Sequence, residues 1–165
     1  MRLRLVFVIL LASLAIVPGA GAATKLDTAL VKGINALRAD HGLKPLASSA
    51  KLTAPAAQHT REMGANGYFD HDSLDATPFW KRIEHWYPSS RWSYWAVGEN
   101  LLWSDENISA SDAIDMWMQS PEHRANLLSR RWREIGISAI HFDSAPGDYG
   151  DESVTIVTAD FGLRR

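Results

Sequence analysis

Leu26, Leu30, Ile34 and Leu37 recur at spacings of four, four and three. That stacks them on one side of a 3.6-residue turn and predicts an amphipathic helix. The helix ends at His41-Gly42, where glycine suits a left-handed cap and a histidine in the last turn favours the negative helix end. After the connection Pro45-Leu46, a second helix is predicted from about Ser48 to Asn66, closed by Gly67. Pro55 must sit in its first turns or kink it. His59 and Glu62, three apart on this helix, are a possible ligand pair, though such a spacing more commonly gives a surface hydrogen bond.

The pattern then breaks. Tyr68-Phe69-Asp70-His71-Asp72-Ser73 reads as a loop, with Phe69 turned inward and the aspartates forming local turns. Thr77-Pro78 opens a short helix through Trp80, Ile83 and His85, leaving Glu84-His85 exposed. Trp95 to Leu101 predicts a short strand in which Gly98 permits close approach. Ser109-x-x-Asp112 resembles a capping box and starts a helix through Ala113, Met116 and Trp117 that stops before Pro121. Met116, Trp117 and Leu127 are expected in the helical layer covering the sheet. Ser120-Pro121-Glu122 begins another helix, with a serine to cap it, proline at its first position and Leu127 and Leu128 as its core anchors. Two strands close the chain: one begins at Ile135-Gly136-Ile137, and Ser153 to Phe161 is rich in Val, Thr and Ile. The aspartates of the loop Asp143 to Asp151 between them could suggest calcium, but their spacing fits no EF-hand.

The first residues follow another rule. Arg2 and Arg4 precede thirteen uncharged residues, Leu5 to Val17, and then Pro18 and Ala20-x-Ala22. This is the layout of a secretory signal peptide cut after Ala22, and the apolar run is short of the roughly 20 residues that span a bilayer. Residues 23–165 would then be one exported domain with no remaining membrane span, secreted or periplasmic. Losing Arg2 and Arg4 leaves 15 basic residues against 19 acidic, a net charge of −4. That argues against a nucleic-acid partner, which needs a concentrated basic surface. The cluster Arg130-Arg131-x-Arg133 reads as a solvated loop. With no cysteine, the chain has neither disulfides nor a lipid-anchoring thiol, so the core alone must hold it. Seven tryptophans should mostly be core or pocket wall.

Two positions invite chemistry. Glu99 lies between apolar flanks, so its carboxylate needs a nearby histidine, arginine or metal to offset desolvation. His123 falls in the first turn of its helix, where the dipole disfavours imidazolium and helps keep the ring neutral. His71 sits on a loop fixed by its neighbours.

In order and spacing, Phe69-Asp-His71-Asp-Ser73, Gly98-Glu99-Asn100-Leu101, Trp117, Ser120-Pro-Glu-His123-Arg-Ala-Asn126, Glu134-Ile-Gly136-Ile and Val157-Thr-Ala-Asp-Phe161-Gly162 resemble the CAP superfamily. That superfamily takes its name from cysteine-rich secretory proteins, antigen 5 and pathogenesis-related 1 proteins, and the likeness is to its bacterial, cysteine-free branch. The resemblance implies an α+β fold: a single-domain α-β-α sandwich with a small antiparallel sheet between helical layers. It also implies a cleft where two histidines and two glutamates can hold zinc or another divalent metal. His71, Glu99 and His123 match by motif. The second glutamate, which in eukaryotic members lies three residues after the helix tryptophan, is replaced here by Ser120. Glu122 is the natural substitute, but adjacent helical residues point about 100° apart, so Glu122 and His123 do not obviously share one ion. Without metal, Glu99 would instead hydrogen-bond one of the histidines.

The resemblance favours a secreted binding module over an enzyme. Its ligand would be a small lipid-like molecule, an envelope component or a protein. A zinc-assisted extracellular hydrolase is the alternative, although no His-Glu-x-x-His or Gly-x-Ser-x-Gly pattern is present. Ser73 and Ser120 have turn and cap roles available instead. A cleft walled by Trp86, Trp92, Trp95 and Trp103 would favour a lipid-like ligand.

Overall fold

The computed structural model describes residues 24–105 and 107–165. The signal-peptide reading of residues 1–22 lies outside them. The elements are α1 (Lys25–Asp40), β1 (Ala47–Ser48), α2 (Ala50–Asn66), α3 (Phe79–Trp86), β2 (Trp95–Asp105), α4 (Ala110–Gln119), α5 (Pro121–Leu127), β3 (Glu134–Ala145) and β4 (Glu152–Arg164). The sheet runs β1-β3-β4-β2. It is antiparallel except for β1, two residues lying parallel to the start of β3.

Period-two alternation on the central strand β4 sorts the helices into two layers. Val157, Ala159, Phe161 and Leu163 join Leu30 and Ile34 of α1, Ala113, Ile114 and Trp117 of α4, and Leu127 of α5 in the main core. Val154 and Ile156 point the other way, into a smaller cluster with Met63 of α2. A third cluster, Leu52, Ile83 and Tyr87, ties α2 to α3. The chain is an α-β-α sandwich, as the motifs implied.

Local rules hold at most boundaries. Gly67 takes φ 70° after α2, a left-handed conformation that glycine adopts without a Cβ penalty. Pro55 is accommodated in the second turn of α2. At the front of α1, Thr24 and Asp27 form a capping box, and Asp27 also accepts from the Ala139 N–H at 2.7 Å, sealing an open sheet edge. Trp117 is fully buried and its indole N–H donates to the Leu101 carbonyl at 2.9 Å.

Three expectations need correction. Met116 is 42% exposed, because it lies roughly opposite Ile114 on a helix whose buried stripe is Ala113, Ile114 and Trp117. Ser120 precedes α5, yet its side chain makes no cap bond. Leu128 is only half-buried, leaving Leu127 as the anchor of α5.

Candidate functional site

Glu99 lies on β2 with its side chain toward the α2 and α3 layer, only 5% exposed. Arg82 of α3, equally buried, donates through Nη2 to Glu99 Oε2. His71 Nδ1 lies 2.8 Å from Glu99 Oε1. Thus Glu99 finds a histidine and an arginine together. Arg82 also donates through Nη1 to the His71 carbonyl and to Ser73 Oγ, each at 3.1 Å. This one guanidinium therefore fixes both the carboxylate and the loop that carries His71.

His59 secures the same loop from α2, where Nε2–H donates to the Asp70 carbonyl at 2.8 Å. The surface hydrogen bond to Glu62 is not what forms. His59 is fully buried and its Nδ1 stands 3.7 Å from Glu62, too far for a hydrogen bond. A buried ring can be satisfied only from inside the fold, and here the Asp70 carbonyl is the partner within reach.

On the other side of the sheet, α5 is locked to β2 by two asparagines. Asn100 Nδ2 donates to the His123 carbonyl at 3.0 Å. Asn126 Nδ2 donates to the Glu99 carbonyl at 3.1 Å and to Asn100 Oδ1 at 2.8 Å. Arg38, almost wholly buried, reaches across from α1 to the Leu127 and Ser129 carbonyls at 2.7 and 3.0 Å. Gly98 has to be glycine here, since a Cβ would stand 2.7 Å from the Trp132 ring. The close approach expected at Gly98 is thus made by a side chain rather than by backbone.

His71, Glu99, Glu122 and His123 line one open cleft of about 340 Å³. Asn126 and Arg131 add to its polar wall, and Phe79, Val97 and Trp132 supply the apolar part. Trp86, Trp92, Trp95 and Trp103 do not line this cleft. The basic loop contributes one member, Arg131, stacked over Trp132 at 5.4 Å.

The two imidazoles are pushed apart electrically. The hydrogen bond to Glu99 raises His71 above its ordinary value, against the opposing effect of burial. Burial, then the nearby charge of His71, lowers His123. Burial would raise Glu99, but the His71 bond and the Arg82 charge outweigh it and hold the carboxyl below its usual range. Directly opposite Glu99 in the β2–β4 register lies Asp160, fully buried. Burial and the charge of Glu99 push Asp160 well above the ordinary carboxyl value, which favours its neutral form.

Sequence reasoning missed Arg82, Asp160 and the buried role of His59. Asp160, flanked by Ala159 and Phe161 in a strand pattern, gives the signal that singled out Glu99. Arg82 sits in a polar-looking helix, and nothing local marks it as buried.

The donors facing the cleft decide which residues suit a divalent ion. Both Glu99 oxygens are engaged, so direct ligation would cost it Arg82 or His71. Among the described residues no group of three or more His, Asp or Glu side chains is placed to hold an ion. What remains is a pair of imidazoles beside Glu122. Were an ion held on the other nitrogen of His71, Glu99 would orient that ring through Nδ1. Two imidazoles alone would leave the remaining coordination positions of an ion to water or ligand.

Among the described residues no helix is long and apolar enough to cross a membrane. In overall shape the chain is similar to an outer surface protein of Borrelia burgdorferi, with a TM-score of 0.66 at 22% identity, covering 87% of this chain and 97% of that one. It is similar also to an extracellular protein with an SCP domain from Bacillus anthracis, with a TM-score of 0.61 at 23% identity, covering 88% of this chain and 45% of that one. In sequence it is 30% identical over 116 residues to the Bacillus subtilis protein YkwD, covering 70% of this chain and 42% of that protein. The chain spans less than half the length of the curated relatives it matches. The pattern of the cysteine-rich secretory protein family matches residues 31–161, most of the chain and all four cleft residues, and the protein therefore belongs to the CAP family.

Proposed function

We propose that this chain is an extracytoplasmic binding module whose cleft takes a divalent metal ion on His71 and His123, with a small polar ligand beside it. The observation that carries the reading is the division of labour in the cleft. Glu99 is saturated by Arg82 and His71, while His71 and His123 line the same opening. The wall is mixed rather than aromatic, which favours a polar ligand over an acyl chain. Export is supported by the charged, then apolar, then small-residue start of the sequence and by relatives described as extracellular or outer-surface proteins. A bound ion would supply Lewis acidity toward a ligand oxygen. The protein's own part is to orient His71 through Glu99, keep His123 neutral by burial, and screen one side with Trp132.

Calorimetric zinc titration of the mature protein at pH 7.5 and pH 5.5 tests this. We expect one site at the higher pH, weakened at the lower because imidazoles must lose their protons to ligate. The site should be lost in His71→Ala and in His123→Ala. Equal zinc uptake by wild type and both variants would place the ion on other surface groups and overturn the assignment.

A further inference from the structure

Away from the cleft, a second cavity of about 190 Å³ opens between α2 and α3. Arg82 is the wall between the two, lining this cavity while its guanidinium holds Glu99 of the cleft. Gln58 and Glu62 face it from α2, Lys81 and Trp86 from α3, and Asp75 from the preceding loop.

Trp86 is the unusual member. It is 42% exposed, yet its ring is held still: its Nε1–H donates to Gln58 Oε1 at 3.1 Å, and His85 meets it edge-on at 5.4 Å. Nothing in the core requires an exposed indole to be fixed in this way. A rigid aromatic face with polar groups arranged beside it is a ready platform for a flat, partly apolar, partly hydroxylated ring. The groups beside it carry both signs, Glu62 and Asp75 against Lys81 and Arg82. A charged ligand would meet repulsion on one side, whereas a neutral polyol can donate to the carboxylates and accept from the cations. Arg82, 4% exposed, still has its Nε–H without a partner among the described residues, which a buried donor rarely tolerates.

The loop wall is built for presentation as well. Ala76 is held at φ 62°, a left-handed conformation that costs an alanine energy. The turn is closed by Ala76 N–H to the Ser73 carbonyl at 2.8 Å and Ser73 N–H to the Thr77 carbonyl at 2.9 Å. This strained turn sets Asp75 at the cavity wall. The volume corresponds to about six waters of liquid. That holds one pyranose ring and is well short of a drug-sized site.

We infer that this cavity is a saccharide-binding subsite in which one neutral pyranose ring stacks on Trp86 and hydrogen-bonds Gln58, Glu62 and Asp75. It is separate from the metal cleft and does not depend on it.

The test uses the mature protein with three neutral probes: chitotetraose, cellotetraose and maltotetraose. Tryptophan fluorescence and the NMR signal of the Trp86 indole N–H are followed on titration. We expect saturable binding of at least one probe, a shift of the Trp86 signal, and a loss of affinity of about two- to tenfold in Trp86→Ala, the scale of a fixed aromatic contact. Trp80→Ala, which removes an exposed tryptophan that does not line the cavity, and His123→Ala should both bind as wild type. Trp86→Ala should stay folded because the ring belongs to none of the buried apolar clusters, and its zinc binding should be unchanged. No saturation by any of the three probes, or binding unweakened by Trp86→Ala, would overturn the proposal. A loss caused equally by His123→Ala would also overturn it by placing the sugar in the cleft instead.

Discussion

The two faces of the sheet are built by opposite rules. Toward α1, α4 and α5, β4 presents Val157, Ala159, Phe161 and Leu163 to the largest apolar cluster of the fold. Toward α2 and α3, Val154 and Ile156 are followed at the alternate positions by Thr158 and Asp160, which meet Thr60, Arg82 and Glu99. Thr60 Oγ1 donates to Thr158 Oγ1 at 2.8 Å in fully buried surroundings. One face is a dry core and the other buries a connected set of polar and charged groups. Buried charge is costly unless each member is paired, so the second face gains less from burial than the first. What it gains instead is a fixed Glu99, and through it a fixed His71. Over Val157 to Leu163, apolar packing lies on one side of β4 and the groups that fix Glu99 on the other.

Breaking either face should be severe, but only one break should be repairable. Trp117→Ala removes the largest fully buried side chain of the apolar face, at about 3–5 kcal/mol. Arg82→Leu leaves Glu99 buried without its cation, which for a buried pair also costs about 3–5 kcal/mol. At about 2–4 °C per kcal/mol, each should lower the melting temperature by about 6–20 °C. The difference lies in rescue. Arg82→Leu with Glu99→Leu removes both charges and should recover most of the loss, whereas no single partner change refills the Trp117 cavity. Thermal melts of the three variants decide this. A double variant no more stable than Arg82→Leu would mean that the polar face is held by something other than this pair.

The apolar face was the legible one. Leu30 and Ile34 could be read from helical spacing, and β4 from its run of Val, Thr and Ile, because burial of apolar area follows such local patterns. The cleft was legible as far as Glu99, His71 and His123, through the family motifs and the cost of a carboxylate between apolar neighbours. The partners on the polar face were not. Arg82 and Glu99 are 17 positions apart, and Asp160 is brought opposite Glu99 only by the β2–β4 register. Pairing across elements sets which charges can be buried, and no local pattern encodes it. Met116 and His59 failed for the same reason in reverse, since each was assigned a face from local spacing that helix packing then redistributed.

The raised carboxyl on the polar face has a consequence of intermediate size. Asp160 has a folded pKa well above its unfolded one. Its contribution is fully present below the unfolded value near 3.8 and is lost as pH rises toward the folded value. Asp160→Asn keeps the shape without the titration. The stability of Asp160→Asn relative to wild type should therefore increase with pH, by up to about 1.4 kcal/mol per unit. Urea unfolding of both proteins from pH 5 to pH 8 measures the slope. A difference that does not change with pH would show that Asp160 ionises as readily in the fold as in the unfolded chain.

The smallest effect discriminates most finely, because it compares two histidines in one cleft. His71 belongs to the polar face through Glu99, while His123 rides on α5, which packs on the apolar side. In protein kept metal-free with chelator, ring-proton NMR titration should place His71 above the ordinary 6.5 and His123 below it. Imidazolium at His71 is favoured by the Glu99 hydrogen bond, so its part of the stability is present below 6.5 and lost as pH rises through the folded value. For His123 the sign is opposite: burial and the His71 charge disfavour its protonation, so its part is lost as pH falls below the unfolded value. Glu99→Gln should bring His71 down and let His123 rise, because a neutral amide stabilises imidazolium less and His71 then carries less charge toward its neighbour. Movement of His71 alone would mean that the two rings do not sense each other across the cleft. No movement of either would mean that the Glu99 carboxylate does not set the charge of the site.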